Sequence, residues 1–330
     1  MATLTKTFTP ASPAPSQLRP FDVRHDLEPI ADLVELCFAD TLDGDGRSYL
    51  AHMRSSAKQG SFLNWAAAAA DWANVPFAGY VWQEGDRLVG NISLIPYYVK
   101  GRRFFLIANV AVHPDYRRRG IARSLTEKAV EFARQKNTPS VWLHVREENQ
   151  AAVTLYQSMG FFERARRTTW YSNLEYSTGK PLPGIKIVTP RPGHWQAQRT
   201  WLLQNYPPQL SWHMPFNLRT LQPGWFGEFF RFLYNAYIQQ WGVLRGAQLV
   251  ASASWQATYA HANVLWLAAP ADADQEVIRL LLLHACRHAP SQRPLMLDFP
   301  AGTLSQAIQQ AGFQPHQTLI WMEMPFQSSK

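Results

Sequence analysis

Between Ile107 and Gln135 the chain passes from an apolar run, through a basic glycine turn, into an amphipathic stretch. Ile107 to Val112 is apolar and partly β-branched, the composition of a buried strand. From about Gly120 to Gln135 the apolar residues Ile121, Leu125, Ala129, Phe132 and Ala133 recur at helical spacing. The turn between them therefore ends at a helix N-terminus, where the amides of Arg119, Gly120, Ile121 and Ala122 have no partner within the helix. That end carries positive partial charge and receives phosphate readily. Gly120 and Ala122 lack bulk, so an anion can come close to the backbone. Arg117, Arg118, Arg119 and Arg123 oppose the helix dipole unless they meet an external anion. Taken alone, the turn also reads as a solvated basic connection before a surface helix.

A second stretch, Leu143 to Phe161, has the same strand-then-helix form. Val141, Leu143 and Val145 alternate with Trp142, His144 and Arg146, which puts His144 and Trp142 on one face of a strand. Asn149 is a good N-cap residue, and Gly160 stands where a helix needs a C-terminal residue with positive φ. Ala152, Leu155 and Met159 form the expected core stripe of this helix. Tyr156 lies two turns beyond Asn149, on the same side.

Together the two stretches resemble the GNAT acyl-CoA N-acyltransferases. The family's R/Q-x-x-G-x-G/A is met by Arg117, Gly120 and Ala122. Its N-x-x-A-x-x-L-Y-x-x-x-G-F is met by Asn149, Ala152, Leu155, Tyr156, Gly160 and Phe161. The resemblance implies an α/β (α+β) fold, a mixed and mostly antiparallel sheet with splayed central strands and flanking helices. It implies acetyl-CoA as cosubstrate, with no metal. Val110, Ala111 and Val112 would offer backbone groups to the pantetheine arm and thioester oxygen, and Arg118 to Arg123, including Ile121, would hold the diphosphate. Asn149 would touch the cofactor arm, and Tyr156 would protonate the leaving thiolate. His144 occupies a slot where protein N-terminal acetyltransferases of the family carry Glu or His in L-[EH]-V-R-x-x-N. An imidazole there is a candidate base, directly or through water; the other reading is a half-buried histidine beside Trp142. Asn109 departs from the acid or aromatic of many relatives and cannot serve as a base. Glu147 and Glu148 read as solvated loop charges.

The rest of the chain narrows the classes of function. At 330 residues there is room for two domains. Cys37 and Cys286 give neither a disulfide framework nor a metal spacing. No basic segment followed by an apolar one opens the sequence, and the alanine-rich run from Trp65 to Ala73 is too short to span a bilayer. The expectation is a cytoplasmic protein without membrane partner. The formal charge of +8 is shared by the two halves without a basic block, so nucleic acid is not expected as a partner.

Residues 1–17 read as a loose tail rich in Pro, Ser and Thr, and 18–175 as the catalytic domain. Asp26–Phe38 reads as a first helix with Ile30, Leu33, Val34 and Cys37 on one face, and 47–73 as helical. Residues 77–82, 88–98 and 103–112 read as strands with Gly85-Asp86 and Lys100-Gly101 as turns. Asp43-Gly-Asp-Gly46 lacks the full ligand set of a calcium loop and reads as a turn.

Residues 176–184 read as a linker, and 185–330 as a degenerate copy of the first domain. There Val264–Leu267, Val277–His288, Leu295–Phe299, Leu304–Phe313 and Leu319–Met322 repeat the order of elements. Its counterpart of the phosphate turn is Asp272-Ala-Asp-Gln-Glu276, whose acids suit the dipole and repel diphosphate. No tyrosine stands at 308 or 309. Eight of the thirteen tryptophans fall here; most read as ordinary core, and others as facing the first domain, a second subunit of a homodimer or the acceptor pocket. The reading is a tandem N-acetyltransferase acting on a primary amine, either a polypeptide N-terminus or a small molecule. The alternative is an acyl-CoA sensor without activity.

Overall fold

A computed structural model of the chain describes residues 17–42, 44–59, 78–172 and 182–326. The expected tail at 1–16, the helical reading at 60–73 and residues 176–181 of the linker lie outside them. The chain forms two compact units: Met1–Pro96 with Phe105–Thr138, and Tyr97–Phe104 with Pro139–Lys330.

The first unit holds β1 (Gln17–Pro20), α1 (Leu27–Phe38), α2 (Gly44–Gln59), β2 (Ala78–Glu84), α3 (Ile121–Gln135) and most of β3 (Arg87–Val99) and β4 (Arg102–Val112), whose hairpin end Tyr97–Phe104 belongs to the second unit, with strands in the order β1-β2-β3-β4. Helix α1 buries Leu27, Ile30, Ala31, Leu33 and Val34 against Leu50 and Met53 of α2 and Val81 of β2, as its spacing predicts. Asp26 precedes the helix without capping it. Its carboxylate instead accepts from both terminal nitrogens of Arg19, at 2.6 and 2.9 Å. Gly85 has φ +59°, Lys100 +49° and Gly101 +76°, the left-handed geometry that short hairpin turns require.

Gly90 sets how closely α3 approaches β3. A Cβ at Gly90 would stand 2.9 Å from Ile121 Cγ2 and 3.1 Å from Leu125 Cδ1. Both residues are buried, with Ala129, Val130 and Ala133 continuing the apolar face. The start of α3, and hence the basic turn before it, is fixed by this packing.

The second unit holds β5 (Ser140–Arg146), α4 (Gln150–Ser158), β6 (Phe162–Ser172), β7 (Ile185–Val188), α5 (Trp195–Asn205), α6 (Pro208–Ser211), α7 (Leu218–Leu221), α8 (Trp225–Leu233), β8 (Ile238–Arg245), β9 (Gln248–Gln256), β10 (Asn263–Ala268), α9 (Gln275–His288), β11 (Leu295–Pro300), α10 (Ser305–Gln310) and β12 (Phe313–Pro325). Its strand order is β5-β12-β6-β11-β10-β9-β8-β7. The pairings are antiparallel except that of β10 with β11.

Strands from the two halves of the sequence alternate here. β12 lies between β5 and β6, and β6 lies between β12 and β11. Each half supplies the strand that fills the gap in the other, so the polar edges of β5 and β11 are both covered. An ion pair from Arg167 in β6 to Asp298 in β11 reinforces the exchange. Arg167 also donates to the carbonyls of Asn205 at 2.7 Å and Asp298 at 3.0 Å, so this buried charge is fully engaged. The main core gathers Trp255, Trp266, Leu281, Leu282, Leu297 and Phe299 under α9. Among the described residues no helix is long and apolar enough to cross a membrane.

Candidate active site

In the first unit, β4 departs from regular geometry at Asn109, whose φ is +51°. Asparagine tolerates this left-handed conformation better than most residues. Asn91, wholly buried in β3, holds the kink by donating Nδ2–H to Asn109 O at 3.0 Å. The Tyr49 hydroxyl is buried near the Asn109 side chain but forms no hydrogen bond of good geometry with it, and burial pushes its pKa up to about 12. Val110 and Val112 are half-buried and Ala111 is buried.

Beyond β4 the sequence turns through Pro114–Tyr116 into the basic segment. Arg117 and Arg119 hydrogen-bond to the backbone beside the turn. Arg117 Nε donates to Val112 O at 3.1 Å, and Arg119 Nη2 donates to Asp115 O at 3.2 Å while lying over the Tyr116 ring. Arg118 has φ +61° and Gly120 φ +80°. Gly120 takes the N-cap position of α3 and brings no side chain to its amides. It is exposed, with no atom within 4 Å of where its Cβ would be. The start of α3 is thus an open positive end, suited to an anion.

In the second unit, Asn149 caps α4 by accepting from Ala152 N at 3.2 Å, as its sequence position predicts. The apolar face differs from the expected stripe. Val153 and Tyr156 are the buried residues of α4, while Ala152, Leu155 and Met159 are half-buried, because a helix this short turns a single narrow face inward. Tyr156 packs edge-on against Phe161 and pairs its hydroxyl with no backbone carbonyl among the described residues. Burial holds the phenol pKa up at about 12, so it remains a proton donor.

His144 lies on the face of β5 opposite to the buried Val141, Leu143 and Val145 and retains solvent access. Its register partner across the sheet is Trp321 of β12, with ring centroids 5.0 Å apart. His213 stacks on Trp321 at 5.4 Å, Trp212 meets His213 edge-on, and Tyr97 stacks on Trp212 at 4.3 Å. The His144 imidazole is exposed, with the Trp321 ring on one side of it. Partial loss of hydration, then the nearby His213 and Arg146, lower its pKa, against a weaker pull from Asp298. Desolvation and Arg167 hold His213 equally low. Both rings are neutral at neutral pH. Glu147 pairs with Arg166 and is a structural loop charge, while Glu148 is exposed.

Trp321 and His213 were not legible as neighbours of His144, since each reaches it through the strand exchange or a long connection. Among the described residues no group of three or more His, Cys, Asp or Glu is arranged to hold a metal. The counterpart turn of the second half is closed. Asp274 accepts from the amides of Glu276 and Val277 at the start of α9, which fills that helix end with the protein's own carboxylate.

Residues 42–161 match the acetyltransferase (GNAT) family. Over 63 residues the chain is 41% identical to the ribosomal protein bS18-alanine N-acetyltransferase of Escherichia coli (strain K12), covering 19% of this chain and 43% of that protein. The chain therefore spans less than half the length of the curated relatives of this kind that it matches. A GCN5-related N-acetyltransferase from Sphaerobacter thermophilus shares the fold at TM-score 0.57 and 14% identity, over 94% of this chain and 95% of that one. A tandem GNAT protein from the clavulanic acid biosynthesis pathway does so at 0.50 and 16%, over 96% and 100%.

Proposed function

We propose that the chain is an acyltransferase of the GNAT superfamily and that it moves an acetyl group from acetyl-CoA to a primary amine by direct attack. Bound acetyl-CoA would supply the activated thioester. The open end of α3 with Arg118, Gly120, Ile121, Ala122 and Arg123 holds the diphosphate, with Arg117 and Arg119 bracing the turn from behind. Val110, Ala111 and Val112 offer their backbone to the pantetheine amides and thioester oxygen, and Asn149 contacts the arm. The acceptor nitrogen attacks the carbonyl carbon as the C–S bond breaks. His144 takes the ammonium proton, directly or through a water, and Tyr156 gives its proton to the leaving sulfur.

The observation that carries this reading is the open N-terminus of α3, where Gly120 at φ +80° brings no side chain to the helix amides and leaves them free to meet an anion. Burial keeps the Tyr156 phenol protonated, as a proton donor must be. The occupied end of α9 supports a single coenzyme per chain, held by the N-terminal half. The acceptor is an α-amine of a polypeptide or a small amine. The likeness to the bS18-alanine acetyltransferase supports the former over a fraction of the chain. Flat rings beside His144 suit an amine borne on an apolar group.

The test is turnover of acetyl-CoA by the whole chain with a panel of amines and N-terminal peptides, the product identified by mass. Acetylation lost in Tyr156→Phe is the expected result. Tight coenzyme binding with no acetylated product across the panel would instead mark a sensor.

A further inference from the structure

Helix α8 is mounted with its polar side inward. Gly227 faces the protein so closely that a Cβ there would lie 1.7 Å from Gln222 O. Arg231, on the same side, donates to Thr220 O at 2.8 Å and to Gln222 O and the Gln240 side chain at 3.1 Å. A glycine and a satisfied arginine pin the helix down. The aromatic side chains of its outer face are therefore not needed to hold it in place.

That outer face is open. Trp225 is 77% exposed, Phe226 40%, Phe229 55%, Phe232 86% and Leu233 59%, and Tyr234 and Tyr237 extend the patch. Positions 225, 229, 232 and 233 share one helical stripe. The other exposed large apolar side chains among the described residues, such as Leu36, Tyr98 and Phe162, stand far apart in sequence, not as one helical stripe. At the ~150–250 Å² that an aromatic side chain can bury, the patch leaves roughly 800 Å² of apolar surface, about what each partner gives to a standard-size interface.

We propose that this face of α8 joins two copies of the chain in a two-fold dimer. A two-fold contact sets the same patch against itself, so a mostly apolar patch is self-complementary. The one ionic group on the stripe is the exposed Glu228, among Trp225, Phe229 and Phe232, while Arg231 is turned inward. A membrane would suit it less. Interfacial helices carry basic residues on their polar face, outward enough to meet lipid headgroups. Here that face is a glycine and an arginine already bound to protein.

Sedimentation velocity of the full chain over the micromolar range tests this. The wild type is expected to dimerise. Phe232→Asp sets two carboxylates against each other across the axis and should raise the dissociation constant about 100-fold or more. Measured well below the wild-type dissociation constant, where both proteins are monomers, its melting temperature should match the wild type, because the residue packs against almost nothing in the monomer; Phe229→Asp gives the second reading. A wild type that stays monomeric, or a dimer indifferent to both substitutions, overturns the proposal. Binding of a monomer to phosphatidylserine vesicles, lost in the two variants, would overturn it in favour of a membrane.

Discussion

Trp321 stands directly across the β5–β12 pair from His144, their rings 5.0 Å apart, although the two residues belong to opposite halves of the chain. The setting of the candidate base is therefore made by the last strand. Trp321→Ala would remove the ring packed beside the imidazole and let its lowered pKa rise toward the usual 6.5. A base works only when deprotonated. In the wild type the acid limb of kcat/KM due to His144 should thus lie below pH 6.5, and in Trp321→Ala it should move up toward that value. One acceptor used throughout cancels the acceptor's own ionisation. A limb that stays put in the variant would show that His144 is not the group being read.

Tyr156→Phe removes the proton donor while keeping the ring against Phe161. We expect kcat to fall about 100-fold and coenzyme affinity to hold. The wild type should show no alkaline limb from this phenol below about pH 11, since burial keeps it protonated. Equal losses in affinity and in kcat would point to a packing role.

Gly120→Val tests the turn. The space around Gly120 is open, so the cost is conformational: a β-branched residue cannot hold φ +80° without strain. The turn should shift, and coenzyme affinity by calorimetry should fall about 10-fold or more, a change of roughly 1.4 kcal/mol. Wild-type titration should give one coenzyme per chain, because Asp274 occupies the equivalent end of α9. A stoichiometry of two would refute that argument.

What could be read from the sequence was whatever depends on near neighbours. Helix α1, the β2–β3–β4 run, the Asn149 cap and the glycine end at Gly160, with φ +94°, follow from local spacing and backbone freedom. The repeated order of elements in the second half was also visible, since it is carried by hydrophobic period. The interleaving of β5, β12, β6 and β11 was not. A strand's alternation says which side chains face the core, but nothing about which partner covers its edge. For the same reason His144 could be placed on a face, whereas Trp321 and His213 could not be placed beside it. That Arg117 and Arg119 also donate to backbone carbonyls was not legible, because sequence does not show which way a long side chain turns.

Stability should fall in mild acid, and His213 shows the sign. Above pH 6.5 the ring is neutral both folded and unfolded, so it contributes no pH dependence. Between 6.5 and about 4 the unfolded chain takes up a proton that the folded protein refuses, which favours unfolding as pH drops. His144 acts in the same direction, tempered by its solvent-open edge. The urea midpoint should decline from about pH 7 to pH 5, and His213→Phe should flatten that decline. An unchanged slope would mean that the ring is hydrated in solution.

The strand exchange makes the two halves of the sequence depend on each other for folding. A chain ended at Gly312 lacks β12, and with it the partner of β5 from Ser140 to Arg146 and of β6 from Phe162 to Ser172. Both strands would then expose an unpaired edge beside a core that has lost the buried Ile320, Trp321 and Met322. Exposed strand edges template aggregation. Expressed alone, residues 1–312 should therefore be insoluble, and so should residues 185–326, which leave β11 and β12 without β6. Mixing the two refolded halves of a chain cut between 172 and 185 should restore a soluble complex, since the cut spares every described strand. Soluble, cooperatively melting protein from either half alone would show that the interleaved strands are not required.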